Sequence, residues 1–186
     1  AGGIVRIDQL RHLGSSIADG SEVMPAGPLA VEFEDVSFSY EDRGVLEEIS
    51  FTLAPGKSLG LLGRTGGGKT TITRLIARLY DPDRGVVRVG GHDLRTLRSE
   101  SLRRSVGVVT QDVQLFQASV RDNLTFFAER PDDDILDVLE RVGLGPWIRQ
   151  LGLDTELGAG GQGLSAGEQQ LLAFARVFLQ DPGVVI

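Results

Sequence analysis

The residues best suited to chemistry lie in one glycine-rich segment, Gly63-Arg64-Thr65-Gly66-Gly67-Gly68-Lys69-Thr70. The segment fits the pattern G-x-x-x-x-G-K-[ST], in which backbone N–H groups of a tight loop converge on phosphate oxygens. Glycine suits such a loop because a chain without Cβ atoms turns sharply and approaches an anion closely. Lys69 would reach the β and γ phosphates, and Thr70 would offer its hydroxyl to Mg²⁺. The segment therefore predicts binding of a nucleoside triphosphate.

The sequence on either side of this loop predicts a strand before it and a helix after it. Residues 58–62 (SLGLL) have the composition of a short, buried parallel strand. The apolar residues after the loop recur at i, i+3, i+4 and i+7, and Asp81-Pro82 is expected to end that helix. They are Ile72, Leu75, Ile76 and Leu79. A glycine-rich turn with a chance lysine and threonine is the competing interpretation, which the strand and helix disfavour.

A second glycine cluster, residues 158–163 (GAGGQG), lies far along the chain and is followed by LSAGE. Ser165 and Glu168 have the S-x-x-E spacing of a capping box, which predicts a helix from Ser165 to about Gln180. A helix N-terminus is a second place where an anion can bind. Two such helix starts do not easily serve one nucleotide within one subunit.

Alternating apolar residues predict strands elsewhere in the chain. Segments 31–40 and 49–53 are expected to form an antiparallel sheet, with a turn at Pro55-Gly56. Further strands are expected at 86–89 (VVRV), at 106–109 (VGVV) and in the final GVVI.

Helical signals dominate from residue 119 onward. Ser119 and Asp122 form a capping pair, and a helix with apolar residues at 135, 139 and 142 is expected to end at Gly143. Residues 132–134 are all aspartate, as suits a helix start, where the helix dipole favours carboxylates. Residues 146–151 are also expected to be helical. We give the three aspartates at 132–134 a structural role rather than a metal-binding one.

The N-terminal residues predict a separate short region. Ile4, Ile7, Leu10 and Leu13 indicate an amphipathic helix that ends near Gly14. Residues 14–30 are rich in Gly, Ser, Pro and Ala and are predicted to be a linker. The expected organisation is therefore an N-terminal helix and linker over 1–29, followed by one domain over 30–186.

These motifs together resemble those of the ATP-binding cassette (ABC) proteins. LSAGE resembles the family signature LSGGQ, and the resemblance covers nearly all of residues 31–186, in family order. It implies an α/β fold: a P-loop NTPase core with a parallel sheet, an N-terminal antiparallel β subdomain and an α-helical signature subdomain, incomplete at the C-terminus. It also implies a second nucleotide-binding domain as partner, because in the family the signature of one subunit closes over the ATP held by another.

The resemblance implies roles for single residues. Tyr40, 23 residues before Gly63, matches the aromatic that stacks on adenine, although a cross-strand core tyrosine is the alternative. Gln111 matches the glutamine that touches Mg²⁺ and the attacking water and links to the transmembrane domains; a loop polar residue is its alternative. The implied nucleotide-binding residues are Tyr40, Gly63, Thr65, Gly66, Gly67, Gly68, Lys69, Thr70, Thr71, Ser165 and Gly167. The implied catalytic residues are Lys69 and Gln111, and the implied Mg²⁺ ligands are Thr70 and Gln111.

The sequence departs from the family pattern at two places. Ala166 and Glu168 replace the Gly at the third position and the Gln of the signature, which predicts a working but weakened contact with the γ-phosphate. In the family GVVI continues into the Walker B Asp-Glu and the switch histidine, whereas this sequence stops at Ile186. His12 and His92 do not replace that histidine. The Walker B residues supply the acid for Mg²⁺ and the general base in the family, and a positioned general base contributes about 10² to 10⁴ in rate. Without them we expect weak nucleotide binding and negligible turnover from this chain.

Composition excludes several other classes. Without cysteine the chain has no disulfide, zinc-thiolate site or cysteine nucleophile, and two distant histidines make an unlikely metal pair. No apolar run reaches the roughly 18 residues of a membrane span, and no signal peptide is evident, so the chain is expected to be soluble and cytosolic. The net charge of −7 disfavours nucleic acid as a partner, although 11 of the 19 basic residues lie within 51–110.

The expected function is the ATP-binding domain of an exporter-type ABC transporter, on the cytoplasmic face of the membrane, with the transmembrane domain as a further partner. VTQDVQLFQASVRDNL and the N-terminal segment indicate the exporter type. Three alternatives remain: an ABC-type ATPase of DNA repair or chromosome maintenance, a P-loop kinase or GTPase, and a non-hydrolysing nucleotide-binding module. The acidic balance and the lack of a coiled-coil insertion disfavour the first, and the signature helix with Tyr40 disfavours the second.

Overall fold

The computed structural model of the protein describes residues 17–110, 112–161 and 163–186. The chain divides into two compact units, Ala1–Pro25 with Ala30–Leu102, and Ala26–Leu29 with Arg103–Ile186. The helix expected between Ile4 and Leu13 lies outside the described residues, and the expected boundary between residues 29 and 30 stays a prediction. No helix in the described ranges has the length and apolar character needed to cross a membrane.

The first unit is built on an antiparallel sheet with the strand order β2-β1-β3-β4. Its strands are β1 (Val31–Tyr40), β2 (Arg43–Leu53), β3 (Arg84–Val89) and β4 (His92–Asp93). The strands predicted at 31–40, 49–53 and 86–89 are confirmed. Alternate residues face the core, except where the register of β1 shifts between Phe33 and Val36. The buried residues on β1 and β3 are Val31, Phe33, Val36, Phe38, Val87 and Val89.

The helix after the glycine-rich loop is shorter than the sequence indicates. Helix α1 (Lys69–Ile76) buries Leu75 and Ile76 but ends well before Asp81-Pro82. Arg78 has a φ of 49°, in the left-handed region, which turns the chain out of the helix. Leu79, predicted on the buried face, is therefore 60% exposed. The 3₁₀ turn Leu94–Thr96 and helix α2 (Ser99–Ser105) follow the sheet.

The buried parallel strand predicted at 58–62 is wrong. These residues form no strand, and Leu59 and Leu62 are 48% and 98% exposed. A parallel strand is stabilised by hydrogen-bonded neighbours and by layers packed on both of its faces. In the described part of the unit, β2, β1, β3 and β4 pair only with one another, so the apolar run has no strand to join.

The second unit is mainly helical. It contains α3 (Val120–Thr125), α4 (Asp132–Arg141), α5 (Gly145–Leu151) and α6 (Ala166–Gln180), with a parallel pair of strands, β5 (Val106–Gly107) and β6 (Val184–Val185). The four predicted helices and the final strand are confirmed, while β5 covers only the first half of 106–109. Its core consists of Leu115, Val120, Leu124, Ile135, Val138, Leu139, Leu144, Ile148, Leu153, Leu157, Leu172 and Ala175. The predicted α/β class, with antiparallel, parallel and helical parts, is confirmed.

Local side-chain chemistry starts these helices where the sequence indicated. The Ser119 hydroxyl accepts a hydrogen bond of 3.0 Å from the Asp122 N–H at the start of α3. Asp132 lies in the first turn of α4 and forms an ion pair with Arg121. The hydrogen bond from Arg121 lowers the pKa of the Asp132 carboxyl. The aspartates thus have the structural role expected of them.

Candidate functional site

The glycine-rich loop of the first unit is shaped by glycine at two positions. Gly66 and Gly68 have φ values of 81° and 82°, which are strained for any residue with a Cβ. A Cβ on Gly68 would also lie 2.7 Å from Cδ2 of Leu46 and 3.3 Å from the carbonyl oxygen of Val45, both on β2. Only glycine fits here, and the resulting tight turn leads directly into the first residues of α1.

The start of α1 is not capped by the protein itself. Gly68 is the N-cap residue, it supplies no side-chain hydrogen bond, and the first turn contains no acidic residue. Helix starts leave N–H groups without intrahelical partners, and the helix dipole makes this end attractive to anions. The loop turn is closed by a 3.0 Å bond from the Gly67 N–H to the Arg64 carbonyl oxygen. This arrangement fits a group rich in phosphate oxygens.

Lys69 lies against the loop that precedes it. Its Nζ donates hydrogen bonds of 2.8 Å to the carbonyl oxygens of Gly63 and Arg64. The ammonium group therefore lies at the loop, at the positive end of α1. Phosphate oxygens approaching the loop would meet this charge and compete with the two carbonyl groups for its hydrogen atoms.

The two threonines in the first turn of α1 differ in exposure. Thr70 is exposed, so its hydroxyl can act as an oxygen donor to a cation. Thr71 is 4% exposed, and its hydroxyl donates to the Tyr40 hydroxyl at 3.4 Å. In the described residues no group of three or more His, Asp or Glu is placed to hold a metal ion. A Mg²⁺ ion here would depend on Thr70 together with phosphate oxygens, as is usual for this ion.

Tyr40 ends β1 and belongs to an aromatic cluster. Its ring meets those of Phe38 and Tyr80 edge-on, with centroids 4.8 and 5.3 Å away. The Arg74 guanidinium donates to the Tyr40 hydroxyl at 3.0 Å and lies 5.8 Å from the ring centroid. Burial opposes ionisation of the phenol, but the hydrogen bonds from Thr71 and Arg74 outweigh it and lower the pKa of Tyr40. The packing of a core tyrosine is thus present, and stacking on adenine stays a prediction.

The start of α6, in the second unit, is closed by its own side chains. The Ser165 hydroxyl accepts from the Glu168 N–H at 3.3 Å, and the Glu168 carboxylate accepts from the Ser165 N–H at 2.7 Å. These two bonds form the predicted capping box. The hydrogen bonds from Ser165 lower the pKa of the Glu168 carboxyl, which holds a negative charge at this helix start. Gly167 is exposed, with no heavy atom nearer than 4.0 Å to a Cβ placed there.

The structure groups the predicted site residues by unit. The first unit contains Tyr40 and the loop residues from Gly63 to Thr71, and the second contains Ser165 and Gly167. Gln111 and His12 lie outside the described residues, so their predicted roles stay predictions. His92 is half-buried, and its Nδ1 lies 2.7 Å from the Glu22 carboxylate.

Two buried arginines were missed by sequence reasoning. Arg78 follows α1 and is 6% exposed; Arg176 lies on α6 and is 9% exposed. The Arg176 guanidinium donates to the carbonyl oxygens of Asn123 and Gln114 at 2.6 and 2.7 Å and to Oδ1 of Asn123 at 3.0 Å. Asn123 is fully buried, and burial lowers the pKa of Arg176. A charged residue usually indicates a solvent-exposed face. The sequence signal for burial was that apolar residues stand on both sides of each arginine.

Comparison with known proteins identifies one family. The sequence model of the ABC transporter family matches residues 46–186. The chain is 41% identical over 162 residues to the mitochondrial iron-sulfur clusters transporter ATM1 of Kluyveromyces lactis, which is 85% of this chain and 22% of that protein. It is 40% identical over 177 residues to the beta-(1→2)glucan export ATP-binding/permease protein NdvA of Rhodopseudomonas palustris, covering 92% and 29%.

A solved structure is similar over nearly the whole chain. The structure of a bacterial Atm1-family ABC exporter with ATP bound matches with a TM-score of 0.88 and 30% sequence identity. The match covers 98% of this chain and 33% of that chain. This chain therefore spans a third or less of the length of each of these proteins.

Proposed function

The chain belongs to the ABC transporter family, and on this premise we propose that it binds MgATP as the ATP-binding domain of an exporter. The observation that carries the proposal is the geometry of the loop before α1. Gly68 has no room for a Cβ, and the helix start that follows has no side-chain cap. The Lys69 ammonium lies against the loop. These features together suit the binding of a polyphosphate.

Each loop residue has a distinct part in the proposed site. The backbone N–H groups of residues 66–70 surround the α and β phosphates, and Lys69 exchanges its two carbonyl partners for oxygens of the β and γ phosphates. The carbonyl oxygens that Lys69 contacts are neutral, whereas phosphate oxygens carry negative charge, and this charge–charge attraction favours the exchange. Thr70 and Gln111 would hold Mg²⁺, which would supply positive charge to offset that of the phosphates.

Tyr40 is proposed to stack on the adenine ring. The support is that it is only partly buried, at the end of β1, and that Arg74 and Tyr80 hold its orientation. Stacking of a base on an aromatic side chain contributes about 1 to 3 kcal/mol, which would separate ATP from bare polyphosphate.

The remaining roles are those of the longer proteins that this chain resembles. We propose that Ser165 and Gly167 contact the γ-phosphate of ATP held by a second nucleotide-binding domain, and that the intact protein couples ATP hydrolysis to export through its transmembrane domain. The support is that the relatives named above are a transporter and an export ATP-binding/permease protein. The cytoplasmic face of the membrane is the proposed location.

Titration of the purified chain with a fluorescent ATP analogue tests the proposal. ATP and Mg²⁺ should displace the analogue, and tripolyphosphate should do so less well. Tyr40→Ala should reduce affinity for ATP by about 5- to 150-fold, in line with the loss of one stacked base, and leave tripolyphosphate affinity unchanged.

Tyr40→Phe is the matched control, because it keeps the ring and removes only the hydroxyl that Thr71 and Arg74 contact. Equal affinity of the chain for ATP and for tripolyphosphate would count against base recognition. No displacement by any of these ligands would contradict the proposed function as a whole.

A further inference from the structure

Residues 17–24, which the sequence predicts to be part of a linker, make hydrogen bonds along their length to the rest of the first unit. We name these residues the strap. The Gly20 N–H donates to the Leu97 carbonyl oxygen at 3.1 Å, and the Arg98 N–H donates to the Glu22 carbonyl oxygen at 2.9 Å. A Cβ on Gly20 would lie 2.1 Å from the Thr96 carbonyl oxygen. The strap thus has a defined docking position.

Side chains hold the strap at both ends. The Asp19 carboxylate accepts from the Ser99 N–H at 2.6 Å and from its hydroxyl at 2.8 Å, at the start of α2. These hydrogen bonds lower the pKa of the Asp19 carboxyl. Met24, at the other end, is 7% exposed, and its N–H donates to the Ser101 hydroxyl at 2.8 Å.

Arg78 joins the strap to the C-terminal end of helix α1. Its Nη2 donates to the Ala18 carbonyl oxygen of the strap at 2.8 Å, and its Nη1 donates to the Leu97 carbonyl oxygen at 3.2 Å. Its Nε is paired with Asp81 at 3.1 Å. The backbone N–H of Arg78 bonds the Leu75 carbonyl oxygen in the last turn of α1. One buried residue therefore contacts α1, the strap and the 94–97 turn.

Burial makes this contact sensitive to the strap. A buried cation is tolerated only while its N–H groups have acceptors, and removing one acceptor destabilises the arrangement. Undocking of the strap removes the Ala18 carbonyl oxygen from Arg78. Arg78, which loses this acceptor, lies two positions after Ile76, the last residue of α1.

We propose that Arg78 is a positioning residue that couples docking of the strap to the order of helix α1. Helix α1 has eight residues, with Lys69 at its first position. A helix of this length is not stable by itself, so its position depends on the contacts at its ends. When the strap is docked, Arg78 fixes the C-terminal end of α1, and the loop at the other end is held in its binding shape. This last step rests on the proposed function; the coupling itself does not.

Hydrogen exchange on the full chain without nucleotide tests the coupling. Asp19→Ala removes the carboxylate that holds the strap and touches neither Arg78 nor the loop. We expect faster exchange at Gly20 and Glu22 and also, by about 3- to 10-fold, at the N–H groups of residues 77–79, as for coupled neighbouring sites. Glu34→Ala, which removes the exposed partner of Arg88 on β3, is the matched control and should change neither group.

Arg78→Lys separates coupling from a merely structural role. Lysine keeps the charge but lacks the planar fork of N–H donors, so a single ammonium cannot reproduce the separate bonds of Arg78 to Ala18, Leu97 and Asp81. In this background Asp19→Ala should no longer change exchange at residues 77–79, while β1 and β3 keep their protection. If Asp19→Ala frees the strap in the wild-type background and residues 77–79 exchange at the unchanged rate, the coupling is wrong, whether or not Arg78→Lys folds.

MgATP adds a reciprocal measurement. Because coupling between two sites acts in both directions, MgATP should slow exchange of the strap amides in the wild-type chain and not in Arg78→Lys. A chain that binds no nucleotide would contradict the proposed function, while the experiment without nucleotide still decides the coupling. A chain that binds MgATP with unchanged strap exchange would overturn the inference alone.

Discussion

Helices α1 and α6 begin in opposite ways. The first turn of α1 has no acidic residue and no side-chain cap, whereas the first turn of α6 holds the carboxylate of Glu168 in a capping box. Omitting such a cap costs a helix about 1 kcal/mol. An external anion therefore finds the start of α1 open, whereas at the start of α6 it meets groups that already bond one another.

The two starts also differ in charge. At α1 the ammonium of Lys69 lies beside the preceding loop, which adds to the positive end of the helix dipole. At α6 the hydrogen bonds from Ser165 lower the pKa of the Glu168 carboxyl, so a negative charge stands at this helix start. A phosphate group reaching Ser165 and Gly167 must therefore displace or accommodate a carboxylate. The sequence change from Gln to Glu in the signature thus has a physical consequence.

Alanine at Gly68 should have the largest effect. The left-handed φ costs about 1 to 3 kcal/mol for a residue with a Cβ, and the contact with Leu46 adds to this. We expect a lower free energy of unfolding in urea and loss of measurable ATP binding. The matched change at the other helix, Gly167→Ala, meets open space and should stabilise α6 by about 0.5 to 1 kcal/mol. Equal destabilisation by both variants would break the comparison.

Loss of the loop lysine should have the next largest effect. Lys69→Ala removes a hydrogen-bonding charge from the phosphates, which is worth about 1.5 to 3 kcal/mol, or about 10- to 150-fold in Kd for ATP. Calorimetric titration measures this directly. Lys57, the other lysine, is exposed in the turn after β2 and serves as the control. A Lys57→Ala variant as weak as Lys69→Ala would show that net charge, and not position, governs binding.

The outcome at these elements shows which parts of the fold could be predicted. The capping box at Ser165 and Glu168, the cap at Ser119 and the phosphate loop all depend on residues close in sequence, and each was predicted. The strand at 58–62 was not correctly predicted, because a parallel strand depends on partners that its own residues do not reveal.

The buried arginines and the strap were missed for a related reason. Arg78 and Arg176 are buried because backbone carbonyl oxygens distant in sequence satisfy them. A Gly- and Ser-rich segment, such as the strap, has the composition of a linker whether or not it finds hydrogen-bonding partners. Local structure was thus predictable where one short segment builds it, and unpredictable where distant contacts support it.

The pH dependence of α6 should show the smallest effect. The pKa of Glu168 is lowered in the folded chain, so its contribution to stability is present above its ordinary value of 4.5 and is lost as pH falls through the lowered value. Glu168→Gln removes this contribution. Thermal melts of the two chains should therefore differ at pH 7 and converge on acidification below 4.5. A gap that widens on acidification would contradict the assigned role of the carboxylate.

The central claim is that phosphate binds at the start of α1 and not at the start of α6 within one copy of the chain. Backbone amide NMR shifts on addition of MgATP to the dilute monomer test it most directly. We expect large, saturable amide shifts at residues 66–71 and none at 165–168. Shifts at 165–168 that saturate at the same or lower ATP concentration, with none at 66–71, would contradict it.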